Sequence, residues 1–176
     1  DALRKLPASE LMNAQYHRGV IIDGYVLPQS IADIFKENKA NKVMLLTGWN
    51  ENEGISGAIK NADDYTKQIQ QQYGNNAEML LKYYPATNDA VASVSQYDLS
   101  RDIIFGVQNY TWANTASEQG NKVYVYRFTR KVPGTGEYAK YGAFHTGEVP
   151  YAYHNLTFSN RPWTPIDHKL ADVMST

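Results

Sequence analysis

Apolar positions along the chain form short helical patterns that are separated by two strand-like runs. Residues 42–49 contain the uninterrupted apolar run 43–46, which is typical of a strand buried on both faces in a parallel sheet. Residues 122–129 alternate in polarity and are rich in residues with high strand propensity. Two strands separated by helical patterns predict an α/β fold with a largely parallel sheet.

The first forty residues predict two short helices on either side of a turn. Proline, serine and glutamate within residues 7–10 predict a helix that ends near Gln15. An Asp-Gly step at residues 23–24 interrupts an apolar run and predicts a turn. Ser30 then begins an amphipathic stretch that favours a second helix.

Two further helices are predicted between residues 62 and 85. Asp63 or Asp64 is the candidate N-cap of a helix that reaches Tyr73. Asn76 is the candidate N-cap of the next helix, which Pro85 ends.

The second half of the chain predicts one long helix and one terminal helix. Residues 95–117 have helical spacing, although Gly106 lowers the expected helix stability by about 1 kcal/mol. Residues 133–136 predict a glycine-rich loop, and Asp167 is the candidate cap of a final amphipathic helix that reaches the chain end without a C-cap signal. Two strands do not make an independent sheet of this kind, so we expect the chain to be part of a larger fold.

Composition narrows the class of protein. The 176 residues carry 43% hydrophobic and 20% charged side chains, as an ordinary soluble globular protein does. The net charge of −1 gives no electrostatic case for binding nucleic acid. No apolar run is long enough for a transmembrane helix. The chain has no cysteine, which excludes disulfides and thiolate metal sites.

Two segments carry residues suited to acid–base catalysis. Glu53 directly follows the first predicted strand, where α/β sheets place functional groups, and Gly54 beside it allows a tight turn. His145 lies in a loop between Gly142 and Gly147, which suits an exposed catalytic side chain. A carboxylate can hold an imidazole that acts as a base for a serine nucleophile. Taken singly, such a carboxylate is more often a helix cap or solvated, and such a histidine is usually a surface residue.

The nucleophile is the part of this chemistry that the chain does not contain. No Gly-x-Ser-x-Gly elbow occurs in the sequence. In α/β-hydrolases the triad runs serine, acid, histidine along the chain, so we expect the serine to lie upstream. Ser56 stands in a similar glycine-flanked context, but its second glycine is one place too early and it follows the acid. We therefore do not predict Ser56 to be a nucleophile.

The other three histidines lack a comparable setting. His17, His154 and His168 are expected to be structural or solvated. Their spacing matches no metal motif such as His-Glu-x-x-His. The sequence therefore predicts neither a metal nor another cofactor.

Six segments in collinear order carry a further signal, and together they span nearly the whole chain. They lie at residues 22–28, 46–54, 102–105, 123–128, 142–148 and 163–174. This ordered set resembles the type B carboxylesterases, the family that includes cholinesterases and bacterial para-nitrobenzyl esterases. The resemblance implies that residues 1–176 are the C-terminal part of a carboxylesterase catalytic domain with an α/β-hydrolase fold.

The resemblance also implies roles for three residues. Glu53 matches the triad acid in a motif that usually reads Asp-Glu-Gly, with Asn52 as a departure at the first position. His145 matches the triad base, and Glu148 matches a glutamate that supports the active site from beneath. The family's serine elbow and its Gly-Gly oxyanion loop belong to an N-terminal portion that is absent here.

These inferences predict part of a serine hydrolase that acts on a small carboxylic ester. The isolated chain is expected to be inactive, with the absent N-terminal portion as its natural partner. An exposed sheet edge also predicts self-association. The absence of cysteines fits a bacterial protein. The sequence is compatible with export of such a protein but does not determine its compartment. Two alternatives stay open. One is a non-catalytic cholinesterase-like binding or adhesion module, and the other is an autonomous small domain whose sequence only resembles the esterase pattern.

Overall fold

A computed structural model describes residues 1–12, 19–54 and 60–176 of the chain. These residues fold as two units, residues 1–41 and residues 42–176, which are described separately below. None of the helices formed by the described residues is long and apolar enough to cross a membrane.

The first unit consists of short helical elements: a 3-10 turn at Leu3–Lys5, helix α1 at Ala8–Met12 and helix α2 at Ile31–Lys36. Helix α1 begins where the sequence predicts, whereas the expected end at Gln15 lies outside the described residues, as does His17. The predicted helix after Ser30 is confirmed, and Ser30 is its N-cap, since its hydroxyl accepts a hydrogen bond from the backbone N–H of Asp33 at 3.0 Å.

The predicted turn at residues 23–24 is confirmed. The Asp23 carboxylate accepts hydrogen bonds of 2.9–3.0 Å from the backbone N–H groups of residues 25, 26 and 27. Gly24 adopts a positive φ of 76° in this turn, a conformation that costs glycine little.

Among its described residues, the second unit contains two strands and six α-helices: β1 Leu45–Asn50, α3 Ala62–Tyr73, α4 Ala77–Tyr83, α5 Asp89–Arg101, α6 Val107–Glu118, β2 Val123–Phe128, α7 Val149–Ala152 and α8 Pro165–Ser175. A π-helical turn, Asp102–Gly106, joins α5 to α6. Short 3-10 turns lie at Gly74–Asn76, Gly136–Lys140 and Leu156–Phe158.

The two strands form a parallel pair. Their register runs from Leu45 opposite Val123 to Asn50 opposite Phe128. Helix α6 packs against both strands. Parallel strands linked through helices confirm the predicted α/β class with few strands and several helices.

The prediction that the first strand is buried on both faces is wrong for this chain. β1 begins at Leu45, not at residue 42, because pairing with β2 begins there. Helix α6 covers the face that carries Leu45 and Thr47, which are 8% and 6% exposed. Leu46 points to the other face and is 69% exposed, because no described residue covers it.

The structure corrects the predicted caps of α3 and α4. The cap of α3 is Asn61, whose side chain accepts a hydrogen bond from the Asp64 N–H at 2.8 Å, so Asp63 and Asp64 lie in the first turn. The helix ends at Tyr73 as predicted. Asn76 occupies the N-cap position of α4, but its side chain makes no capping hydrogen bond because a 3-10 turn leads directly into the helix.

The predicted helix over residues 95–117 is longer and less regular than expected. Helix α5 begins six residues earlier, because Asn88 caps it by accepting a hydrogen bond from the Val91 N–H at 3.0 Å. Gly106, which interrupts the helical pattern, closes the π-helical turn between α5 and α6. A π turn inserts an extra residue and rotates the side chains that follow.

The described residues of the second unit form two separate hydrophobic cores. The helical core lies among α3, α4 and α5. The C-terminal core lies among β2, the loop at residues 142–148, α7 and α8, and its buried members are Phe128, Val132, Ala143, Tyr151, Leu156 and Ala171.

Candidate active site

The histidine loop, residues 142–148, is held against the segment that follows β1. The backbone N–H of Asn52 donates to the carbonyl of Ala143 at 2.9 Å. The Asn52 side-chain oxygen accepts the N–H of Ala143, also at 2.9 Å. Asn52 and Phe144 form an isolated parallel bridge. The departure from Asp-Glu-Gly therefore preserves this contact, since asparagine and aspartate both offer the accepting oxygen.

Gly142 allows the close approach of this loop. Its φ is +63°, and a Cβ atom there would lie 2.2 Å from the side-chain oxygen of Asn52. Thr146, directly after His145, also has a positive φ, of 67°. Two residues with positive φ therefore flank His145 in the loop, and its side chain is exposed.

Glu53 and His145 are brought into direct contact. The distance between Glu53 Oε1 and His145 Nδ1 is 2.7 Å. The Glu53 side chain is 8% exposed and the His145 side chain 60% exposed. An ionised carboxylate only accepts hydrogen bonds, so Nδ1 carries the proton in this contact. In a neutral imidazole Nε2 is then the basic nitrogen, and it has no hydrogen-bond partner in the described part of the chain.

Glu53 is fixed by a second hydrogen bond. Its Oε2 atom accepts the backbone N–H of Asn50 at 2.6 Å. The imidazole of His145 packs against the ring of Phe105, with 5.4 Å between ring centroids. Phe105 lies in the π-helical turn, so this irregular element places an aromatic ring beside the histidine.

Helix α5 supports the segment that carries the acid. The Tyr97 hydroxyl donates to the carbonyl of Asn52 at 2.6 Å, and Arg101 donates to the carbonyl of Glu51 at 3.0 Å. Gly54 does not have the positive φ of a tight turn. Glycine is needed here because the backbone of α5 lies too close for a side chain: a Cβ would lie 2.5 Å from the backbone oxygen of Tyr97.

Glu148, the last residue of the histidine loop, contacts the end of β1 through Asn50. The side-chain amide of Asn50 donates to Glu148 Oε2 and, at 2.8 Å, to the carbonyl of Phe144. Within the described residues, Glu148 makes no direct hydrogen bond to Glu53 or His145. Burial raises the pKa of Tyr126, and the nearby charges of Glu148 and Glu53 raise it further.

His154 and His168 lie apart from this pair, and His17 is outside the described residues. His154 Nε2 contacts Asp172 Oδ1 at 2.7 Å, and both side chains are exposed. His168 is exposed on α8. Ser56 lies outside the described residues. No cluster of three potential metal ligands occurs in the part of the chain that the structure describes.

Sequence analysis missed three residues that build this site: Asn50, Tyr97 and Phe105. Only Phe105 had a local signal, because Gly106 beside it interrupts the helical pattern. Asn50 and Tyr97 contact residues that are distant in sequence, which no local pattern predicts.

Two parallel strands flanked by helices, with the paired carboxylate and imidazole beyond the end of β1, form part of an α/β-hydrolase-like fold. The sequence profile of the Carboxylesterase family matches residues 1–176, so the chain belongs to this family. The resemblance inferred from the sequence is thereby confirmed.

The chain is also similar to a fumonisin B1 esterase from Sphingopyxis macrogoltabida. The two sequences are 28% identical over 159 residues. The match covers 88% of this chain and 29% of the relative, so the chain spans less than a third of that esterase.

Proposed function

We propose that this chain is the part of a carboxylic ester hydrolase that supplies the acid and the base of a Ser-Glu-His triad. The observation that carries the proposal is the 2.7 Å contact between Glu53 Oε1 and His145 Nδ1, with a buried carboxylate and an exposed imidazole. Membership of the carboxylesterase family and similarity to an esterase support ester hydrolysis as the reaction.

In this proposal His145 is the general base. Its Nε2 takes the proton of a serine hydroxyl as the serine oxygen attacks the ester carbonyl. The same nitrogen then returns the proton to the leaving alcohol, and an acyl-enzyme remains. Water, activated by His145, hydrolyses that intermediate. Glu53 keeps the imidazole in the required tautomer and stabilises the imidazolium that forms.

The serine and the oxyanion donors belong, in this proposal, to a preceding portion of the same domain. The sequence contains no Gly-x-Ser-x-Gly elbow, and the serine precedes the acid in α/β-hydrolases. Residues 1–176 are then the C-terminal part of the catalytic domain, and a small carboxylic ester is the substrate class.

The exposed face of the strand pair supports a missing partner. Leu46 and Tyr124 are opposite each other in the register, and they are 69% and 50% exposed. Bare apolar surface of this kind favours association. We expect the preceding portion of the domain to cover this face, and the isolated chain to self-associate through it.

Hydrolysis of a p-nitrophenyl ester by two proteins tests the proposal. One is the 176-residue chain alone, and the other is the chain extended by the coding sequence immediately upstream. We expect turnover only from the extended protein, and its loss in His145→Ala. Both proteins are compared with buffer and with a matched His154→Ala variant.

Two outcomes would contradict this assignment. Turnover by the isolated chain that disappears in Ser56→Ala would make Ser56 the nucleophile. An extended protein that lacks an elbow serine and hydrolyses no ester would favour the non-catalytic binding module instead.

A further inference from the structure

Asn50 contacts three parts of the candidate site. Its backbone N–H donates to Glu53 Oε2 at 2.6 Å. Its side-chain Nδ2 donates to the carbonyl of Phe144 at 2.8 Å and to Glu148 Oε2. The residue ends β1 and is only 1% exposed. We propose that Asn50 is a positioning residue that holds the histidine loop in register with the acid; this inference rests on the proposed function.

The orientation of the amide follows from its neighbours. Both partners of the Asn50 side chain are oxygen acceptors, so the nitrogen must face them. The side-chain oxygen then has no partner among the described residues, although it is buried. A buried acceptor without a partner weakens a fold. Stability alone therefore does not explain an asparagine here, whereas the two contacts to the loop do.

The groups that Asn50 holds have other ways to satisfy their polar atoms. The carbonyl of Phe144 also accepts the N–H of Gly147 at 2.8 Å. Glu148 is half-buried, so its carboxylate retains contact with solvent. Loss of the Asn50 amide therefore leaves neither group stranded. Its main effect is on where the loop, and with it His145, lies relative to Glu53.

This arrangement also gives Glu148 an indirect role. Its carboxylate accepts from the Asn50 amide and does not contact His145 within the described residues. An uncharged acceptor of the same shape can serve equally well. Glu148→Gln should therefore preserve the position of His145, and Glu148→Leu should not.

The test reads the tautomer of His145 in the 176-residue chain by long-range ¹H–¹⁵N NMR, at a pH where the imidazole is neutral. In the unaltered chain we expect the Nδ1–H tautomer, and we expect Glu53→Gln to remove that preference. Asn50→Leu, which keeps the side-chain size and removes the donor, should also lose the preference. The matched control is Asn121→Leu, since the Asn121 amide donates to the carbonyl of Ala116 at 3.0 Å, away from the site.

An unchanged His145 tautomer in Asn50→Leu would overturn the inference. If circular dichroism shows that Asn50→Leu does not fold, the comparison of Glu148→Gln with Glu148→Leu tests the inference instead. Equal fractions of the His145 tautomer in these two variants would also overturn the inference. Failure of the proposed function has a different signature. The extended protein would then hydrolyse no ester while the tautomer still depended on Glu53 and Asn50.

Discussion

Two histidine–carboxylate pairs among the described residues have the same length and different surroundings. His145 Nδ1 lies 2.7 Å from Glu53, and His154 Nε2 lies 2.7 Å from Asp172. The two imidazoles are almost equally exposed, at 60% and 58%. The carboxylates differ, with Glu53 8% exposed and Asp172 68% exposed.

The difference shows that the burial of the acid, and not the pair distance, separates the two sites. A buried carboxylate with a second hydrogen bond has one orientation, so it fixes the imidazole that it contacts. An exposed pair is solvated on both sides and contributes at most about 1 kcal/mol. The nitrogen also matters, because contact through Nδ1 leaves Nε2 of His145 open, whereas His154 uses Nε2 itself.

The largest expected effect separates the two pairs by activity. In the extended protein, His145→Ala and Glu53→Gln should each lower kcat/KM for an ester by about 10⁴-fold, because the base or the charge that stabilises the imidazolium is lost. The matched variants His154→Ala and Asp172→Asn should leave kcat/KM unchanged. Near-normal hydrolysis by either of the first two variants would remove that residue from the triad.

A third carboxylate, Asp167, sharpens the comparison because it is completely buried and fully paired. It accepts two hydrogen bonds from Arg130, at 2.8 and 3.0 Å, and others from Tyr151 and Thr164. The expected cap of α8 is thus wrong: Thr164 is the cap, and Asp167 completes a capping box. Asp167→Asn should lower the free energy of unfolding by about 3 kcal/mol in urea titrations, with Asp172→Asn as the near-neutral control.

The same carboxylate predicts acid sensitivity. Burial acts to raise the pKa of Asp167, but hydrogen bonds from Arg130 and Thr164 outweigh it and lower the pKa well below its ordinary value. A lowered folded-state pKa contributes stability above the ordinary value and loses it as the pH falls toward the folded value. The free energy of unfolding should therefore decrease below about pH 4, and Asp167→Asn should flatten this decrease. An unchanged slope in the variant would assign the acid sensitivity to other groups.

Two glycines test how tightly the histidine loop is held. Gly142 and Gly120 both have positive φ, but a Cβ would collide with Asn52 only at Gly142 and meets nothing at Gly120. Each alanine variant loses about 1 kcal/mol from backbone strain. Gly142→Ala should lose about 1–3 kcal/mol more, because Asn52 must move. Urea unfolding measures both, and equal losses would show that the loop is not close-packed against Asn52.

The smallest expected effect concerns salt. Because the His154–Asp172 pair is exposed, ions screen it, and its contribution of about 1 kcal/mol or less should vanish in about 1 M salt. A double-mutant cycle with His154→Ala and Asp172→Asn, measured by urea unfolding at low and high salt, tests this. A coupling energy that persists at high salt would mean that the pair is less solvated than its exposure indicates.

Sequence patterns predicted the positions of the helices and strands better than the burial and contacts of their side chains. The two strands and most helix positions follow from periodicity and turn residues. The exposure of Leu46 does not, because an apolar run shows only that burial is favoured, and not which polypeptide provides the cover. Threonine and aspartate are both common N-cap residues, so local sequence does not decide between Thr164 and Asp167 as the cap of α8. Arg130, which is distant in sequence, binds Asp167 at the N3 position and so favours Thr164 as the cap.

The candidate site was predictable only in part for a similar reason. Order along the chain and the family resemblance singled out Glu53, His145 and Glu148, since their motifs are local. Asn50 lies in the same motif as Glu53, yet its buried amide acts on Phe144 and Glu148. Side chains that join distant segments have no local signature, so the structure was needed to find them.

The parallel pairing of β1 with β2 has a consequence for the order of folding. The strands are separated by residues 51–122, which contain α3 to α6, so their pairing closes a long loop and is entropically costly. Helices that contact near neighbours can form before such a closure, and contacts of high sequence separation slow folding. Glu53 and His145 belong to opposite sides of that closure. A refolding chain should therefore regain its helical signal first, and join the acid to the base only in its last and slowest step.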